Sequence, residues 1–264
     1  MMPRRLFLSS LTSMGLVVMT CIVMTFVLTA CVPSEPTISD NQKASYHYTL
    51  GVASLKEQNP TGALKEFLQA EKYDPRDPKI HAGLSQAYWI KRAYSLAEEH
   101  LKQAIKLSDE DPQYYNNIAA LYLSMERYDD AIIAFQAAAD DLLFDHPALA
   151  WTGIGLAYTQ KRDYQSAQNA YLKAMDIDPR YYNAPFHLGE LFYNQDRPVE
   201  ALDMFTLSVK LAPNFANGYY WQGLVYMKMK EIGKAKQAFL EVMSLAPETE
   251  PARLAENYLK IINK

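Results

Sequence analysis

Small and large apolar positions recur along the chain with a period of 34 residues, broken once by a two-residue insertion. With Ala44 as the first position of this register, the twentieth is Ala63, Ala97, Ala131, Ala167, Ala201 and Ala235. The eighth is small throughout: Gly51, Ser85, Ala119, Gly155, Gly189 and Gly223. The twenty-fourth is large throughout: Phe67, Leu101, Phe135, Tyr171, Phe205 and Phe239. The eleventh is aromatic except in the first unit: Ser54, then Tyr88, Tyr122, Tyr158, Phe192 and Tyr226. A fixed period of this length marks a stacked repeat. The columns predict two antiparallel helices per unit. They approach closely where positions 8 and 20 face each other, and the ring at position 24 fills the space beside the next hairpin. A bulky residue at one of the alanines would overpack that crossing, at about 1–3 kcal/mol.

The punctuation agrees with the columns. Asp74-Pro75, Asp178-Pro179, Ala212-Pro213 and Ala246-Pro247 put proline at position 32, where a second helix should stop. Asp77-Pro78 and Asp111-Pro112 read as an N-cap followed by a first-turn proline. Helices this short are not stable alone. Stability must come from stacking, and the terminal units need covers. Pro251 opens a last helix whose Leu254, Tyr258, Leu259 and Ile262 fall at helical spacing and can cover the sixth unit.

These columns resemble the tetratricopeptide repeat (TPR) pattern over residues 44–249. The resemblance implies an all-α, right-handed superhelix of six helix-turn-helix repeats: 44–77, 78–111, 112–147, 148–181, 182–215 and 216–249. A capping helix over 250–264 follows. Three positions depart from the pattern: Asp109 in place of proline, Ser54 in place of an aromatic, and Gln222 where leucine is usual.

The N-terminal segment has a different character. Met1 to Ser10 carries Arg4 and Arg5 and no acid, and Leu11 to Leu28 is apolar and uncharged. Leu28-Thr29-Ala30-Cys31 follows, completing the outline of a secretory leader over 1–30. The ending resembles a bacterial lipobox, which implies that Cys31 is lipidated and becomes the first mature residue. An uncleaved span is the competing reading, since the 18 residues 11–28 could just cross a bilayer. Residue 32 is Val rather than Asp, which by resemblance to Gram-negative sorting rules implies an outer-membrane anchor facing the periplasm. Residues 31–43, with Pro33 and Pro36, read as a polar tether.

Composition narrows the function. The net charge is −4 and no run of five basic residues occurs, so the footprint of a nucleic-acid binder is missing. The two cysteines are Cys21 and Cys31, so no disulfide framework or thiolate metal site can form further on. No His-Glu-x-x-His helix, Gly-x-Ser-x-Gly elbow or phosphate loop occurs. His47 and His81 share position 4 one repeat apart, and could meet. That column otherwise holds Tyr115, Trp151, Pro185 and Tyr219, so packing is the better reading. The expectation is a non-enzyme with no metal, no cofactor and no small-molecule substrate.

In the TPR family the first helix of each hairpin lines the concave face, with positions 2, 5, 9, 12 and 13 pointing inward. The resemblance makes Tyr48, Trp89, Asn116, Asn183, Phe186, Tyr193, Asn194, Asn217 and Tyr220 candidate protein-binding residues. Val52, Ile90, Leu123, Thr152, Leu156, Leu224 and Met227 stand beside them. Aromatic side chains suit protein recognition, and asparagine can satisfy a peptide backbone. The alternative is that these rings pack sideways and close the groove. Position 5 reads Tyr48, Ala82, Asn116, Thr152, Phe186 and Tyr220, so the Lys/Arg/Asn clamp that some TPR proteins use for chaperone carboxylates is absent.

The insertion over Asp140 to Pro147 places Leu142, Leu143 and Phe144 between acids. It reads either as a lengthened turn tucked against its neighbours or as a second contact surface. Tyr115-Asn116-Asn117, Arg127-Tyr128-Asp129-Asp130-Ala131 and Asp141-Leu142-Leu143-Phe144 together resemble the type IV pilus pilotin lipoproteins, the PilF/PilW/Tgl family. That resemblance implies a lipid-anchored protein that helps secretin subunits reach the outer membrane and multimerise. A general periplasmic scaffold for envelope assembly would use the same groove.

Overall fold

The computed structural model describes residues 38–262. The leader, Cys31 and most of the tether lie outside the described residues, as do 263–264. The described residues form thirteen α-helices and no strand. The first three hairpins are α1 (Asp40–Lys56) with α2 (Pro60–Tyr73), α3 (Pro78–Ile90) with α4 (Tyr94–Leu107), and α5 (Pro112–Ser124) with α6 (Tyr128–Asp140). The next three are α7 (Pro147–Gln160) with α8 (Tyr164–Ile177), α9 (Asn183–Asn194) with α10 (Pro198–Leu211), and α11 (Ala216–Lys228) with α12 (Ile232–Leu245). The last helix is α13 (Glu250–Ile262). None of these helices is long and apolar enough to cross a membrane.

The tether is shorter than expected, because α1 starts at Asp40. Ser39 and Gln42 form a reciprocal capping box. The Gln42 N–H donates to Ser39 Oγ at 3.3 Å, and the Ser39 N–H to Gln42 Oε1 at 2.9 Å. Asp77 and Asp111 act as the expected caps, accepting from the N–H groups of Lys79 and Gln113 at 2.8 Å.

All six hairpin turns have the same construction. The N–H at position 16 donates to the carbonyl at position 11, as in Ala93 to Tyr88 at 2.9 Å and Glu231 to Tyr226 at 2.8 Å. The N–H at position 15 donates to position 12, as in Arg92 to Trp89 and Lys230 to Met227. This is a Schellman ending. Its left-handed residue is Gln58, Arg92, Glu126, Arg162, Asp196 or Lys230, with φ between 57° and 63°, and never glycine. Left-handed backbone strains a residue that carries a Cβ by about 1–2 kcal/mol, and glycine's extra unfolded-state entropy offsets part of the relief. Arg162→Gly with Lys230→Gly should therefore raise the stability measured by urea unfolding, by roughly 0.5 kcal/mol per site. A loss at both sites would show that these turns are not strained.

Packing sharpens the meaning of the small column. The six alanines at position 20 are fully buried. The residue at position 8, however, is the seat for the ring at position 24 of its own hairpin. A Cβ added to Gly155 would meet Tyr171 at 2.4 Å, and one added to Gly223 would meet Phe239 at 2.4 Å. The same ring reaches forward to the next hairpin: Phe67 abuts Gly83, and Phe135 abuts Gly153. One side chain thus closes its own hairpin and docks the following one. Gln222, the departure from leucine, is buried and donates to Thr206 Oγ1 at 3.1 Å. At the C-terminal end Ala252, Ala255 and Leu259 of α13 are buried, and Tyr258 stacks on Phe239 at 5.1 Å. The cover expected from the sequence is in place.

The inserted junction divides its apolar residues. Asp141 forms a turn, accepting from the Leu143 N–H through Oδ1 at 2.7 Å and from the Phe144 N–H through its carbonyl at 3.2 Å. Phe144 enters the core, while Leu142 and Leu143 are 99% and 85% exposed.

Candidate protein-binding groove

The first helices of neighbouring hairpins pack against one another along the stack, most sparsely between α3 and α5. The link before α5 is also where proline gave way to Asp109. Its backbone there takes two consecutive left-handed residues, Asp109 at φ 56° and Glu110 at φ 66°. The hairpin pattern survives this departure, and a hollow of ≈ 300 Å³ opens beside α3 and α5. Tyr48 and Val52 of α1 form one wall, and Tyr114, Asn117 and Ala120 of α5 form the other. Lys79, Ala82, Ser85, Gln86 and Trp89 of α3 lie between them, over a floor of Phe67 and Leu101.

The hollow is mostly apolar, with polar groups at fixed points. Burial pushes the Tyr114 phenol up to about 12, helped by the charges of Asp111 and Asp77. Burial, with Asp77, also raises Tyr48. Both hydroxyls stay protonated at neutral pH and can donate to a ligand carbonyl. Asn117 accepts from Gln113 Nε2 at 3.2 Å, which orients its amide. Ser85 is 1% exposed, and its Oγ has no hydrogen-bond partner among the described residues. An unpaired buried hydroxyl costs about 1–3 kcal/mol. Position 8 is alanine in the third repeat, so the site tolerates that side chain. Ser85→Ala should therefore stabilise the free chain by ~1 kcal/mol and leave partner affinity unchanged, since the hydroxyl is sealed from solvent. Thermal melting and a binding titration read the two, and a loss of stability would contradict the assignment.

Of the nine candidate residues, only Tyr48 and Trp89 come together in this hollow, with Val52 beside them. Tyr48 leans on Phe67 with ring centroids 5.8 Å apart. Two predictions need correction. Asn116 and Phe186 are 6% and 4% exposed, so neither faces a ligand. Phe186 is enclosed by Phe205 and Phe215, with centroids at 5.8 and 4.9 Å, because the link into α11 folds over it. Asn116 Oδ1 has no hydrogen-bond partner among the described residues.

The other predicted residues lie further along the stack, away from the hollow. Tyr193 is half-buried against Trp221, and Lys228 Nζ covers its ring at 4.6 Å. Tyr220 is half-buried between Phe239 and Tyr258. Asn183 and Asn217 are half-buried, and Asn194 is exposed. The sideways packing that would close the groove is what happens in this half. Lys79 and Gln86 occupy inward positions 2 and 9 of the second repeat and line the hollow as well.

The histidines also differ from expectation. His47 does not meet His81; its Nδ1 lies 2.7 Å from Glu66 Oε2. His81 Nδ1 instead faces His100 Nδ1 at 3.1 Å.

Comparison with known proteins agrees with this architecture. The tetratricopeptide repeat description matches residues 48–115, 111–180, 152–214 and 216–249. The type IV pilus assembly protein PilF of Pseudomonas aeruginosa is 22% identical over 186 residues, covering 68% of this chain and 74% of that protein. The crystal structure of PilW, a widely conserved type IV pilus biogenesis factor, superposes with a TM-score of 0.68 at 16% identity, covering 81% of this chain and 98% of that one. Yeast Tom70 superposes with a TM-score of 0.70 at 17% identity, covering 84% of this chain and 47% of that one. Likeness at these identities establishes the fold that the three share.

Proposed function

Because the chain belongs to the tetratricopeptide repeat family, a scaffold that binds other proteins, we propose that it is the pilotin of a type IV pilus secretin. On this reading the hollow beside α3 and α5 takes a segment of the secretin subunit. Tyr48 and Trp89 supply its apolar contacts, while Tyr114, Gln86 and Asn117 answer the peptide's amides. The observation that carries the assignment is the junction after the third hairpin. Its Asp141-Leu142-Leu143-Phe144 stretch holds one ring in the core and presents two leucines to solvent. Sequence kinship with PilF over 74% of that protein's length supports the same reading.

The N-terminal segment completes the proposal. A diacyl or triacyl group on Cys31 would hold the stack at the periplasmic face of the outer membrane, since each buried methylene adds roughly 0.8 kcal/mol. Deleting the gene is expected to abolish detergent-resistant secretin multimers and surface pili, and Cys31→Ser to strand the multimers away from the outer-membrane fraction. Normal secretin rings in the deletion strain would refute the assignment and leave a scaffold for some other envelope protein.

A further inference from the structure

We propose that Glu71, His81 and His100 form a binding site for a divalent zinc-like cation that clips the first hairpin to the second. Glu71 comes from α2, His81 from α3 and His100 from α4, so the three ligands span the junction between two repeats.

The geometry is that of a ligand set. The two Nδ1 atoms are 3.1 Å apart, and Glu71 Oε1 lies 3.6 Å from His81 Nδ1 and 3.9 Å from His100 Nδ1. A tetrahedral ion about 2.0–2.1 Å from nitrogen and oxygen ligands sets those atoms roughly 3.3 Å apart. Three protein ligands of this kind leave a fourth position for water.

The surroundings prepare His81 for the task. Its Nε2 lies 2.9 Å from the Pro75 carbonyl. A carbonyl only accepts, so Nε2 carries the proton and Nδ1 presents its lone pair to the cluster. Metal-binding histidines are oriented by this kind of outer hydrogen bond. His100 is fixed by stacking, on Tyr88 at 5.4 Å and 17° and on His81 at 5.4 Å and 28°.

Comparison with the preceding repeat isolates what is unusual. His47 and Glu66 occupy positions 4 and 23 of the first unit and pair at 2.7 Å, histidine against carboxylate. His81 and His100 occupy the same two positions of the second unit and set imidazole against imidazole. A proton on His100 Nδ1 would bridge that contact as a hydrogen bond to His81 Nδ1, whereas the convergence of Glu71 from the neighbouring hairpin supplies the third ligand that a cation would use. His81 sits beside Ala82 and one turn before Ser85, so a bound ion would also stiffen the α3 wall of the groove.

The test is a zinc titration of the chelator-treated full chain by calorimetry, with cobalt absorption as the reporter of coordination. One ion per chain is expected, with a four-coordinate cobalt spectrum and a melting temperature raised by about 5 °C at saturating zinc. His100→Gln and Glu71→Gln should each weaken binding at least tenfold and remove the metal-dependent rise. Their metal-free melting temperatures show that the variants fold. His47→Gln, altering the ordinary pair in the first repeat, should leave affinity and stoichiometry unchanged. Absence of binding by the parent chain, or unchanged one-to-one binding by His100→Gln, would overturn the proposal.

Discussion

Phe205→Ala is expected to destabilise the chain by about 3–5 kcal/mol and to loosen its C-terminal third before the rest. Phe205 is completely buried. Its ring lies against Gly189, where an added Cβ would come within 2.8 Å. It also stacks on Trp221 of the next hairpin at 5.7 Å and 22°, and tilts against Phe186 at 5.8 Å. Truncation therefore removes the closure of the fifth hairpin and its docking to the sixth in one step. The facing glycine has no side chain to swing into the gap, so little of the cavity can collapse. Stability in such a stack is close to a sum of unit and nearest-neighbour terms, so the loss should stay local. Hydrogen exchange should show lost protection from α9 to α13 while α1 to α7 keep theirs. Urea unfolding should split into two transitions. Leu240→Ala, on a half-exposed outer position of α12, is the control and should lie within about 0.5 kcal/mol of the parent. Uniform loss of protection in the Phe205 variant would mean that the six hairpins unfold as one unit.

The second large effect concerns the groove. Trp89→Ala and Tyr48→Ala should each weaken the protein partner by about 2 kcal/mol, roughly thirtyfold. Both rings line the hollow and both are only half-buried in the free chain. Their loss removes contact area while the core beneath, Phe67 and Leu101, remains intact. Melting temperature should change little, which separates the effect from unfolding. Tyr193→Ala and Tyr220→Ala should have smaller effects on affinity, since their faces are already taken up by Trp221, Lys228, Phe239 and Tyr258. Phe186→Ala should behave as a core truncation, lowering stability first. Titration of each variant against the partner, paired with its melting curve, distinguishes these patterns.

The contrast shows which parts of this molecule can be read from its residues. The alanines at position 20 and the rings at position 24 report local packing that every unit repeats, and both columns are buried as expected. The turn proline and the terminal cover are legible for the same reason. Accessibility along the groove is not a property of one column. It depends on how far apart neighbouring first helices stand, which is set by the links between hairpins. Tyr48 and Phe186 both occupy position 5, yet one lines an open hollow and the other is sealed by Phe215. Asp109 is visible as a departure, but its consequence, two left-handed residues in succession, is set by the three-dimensional link and not by the residue type. The histidine cluster is not legible in any one column, because its members occupy three: position 28 for Glu71, 4 for His81 and 23 for His100. Ser39 and Gln42, by contrast, carried a capping signature that was open to reading and marks the true start of α1.

Photocrosslinking in living cells tests the binding role most directly. A photoreactive residue at Gln86 lies in the groove, one at Leu143 on the junction tip, and one at Leu240 on the outer face. The expected result is a secretin adduct from Gln86, lost when Trp89 is replaced by alanine, and none from Leu240. Secretin adducts from Leu143 or Leu240 with none from Gln86 would contradict the groove as the contact surface.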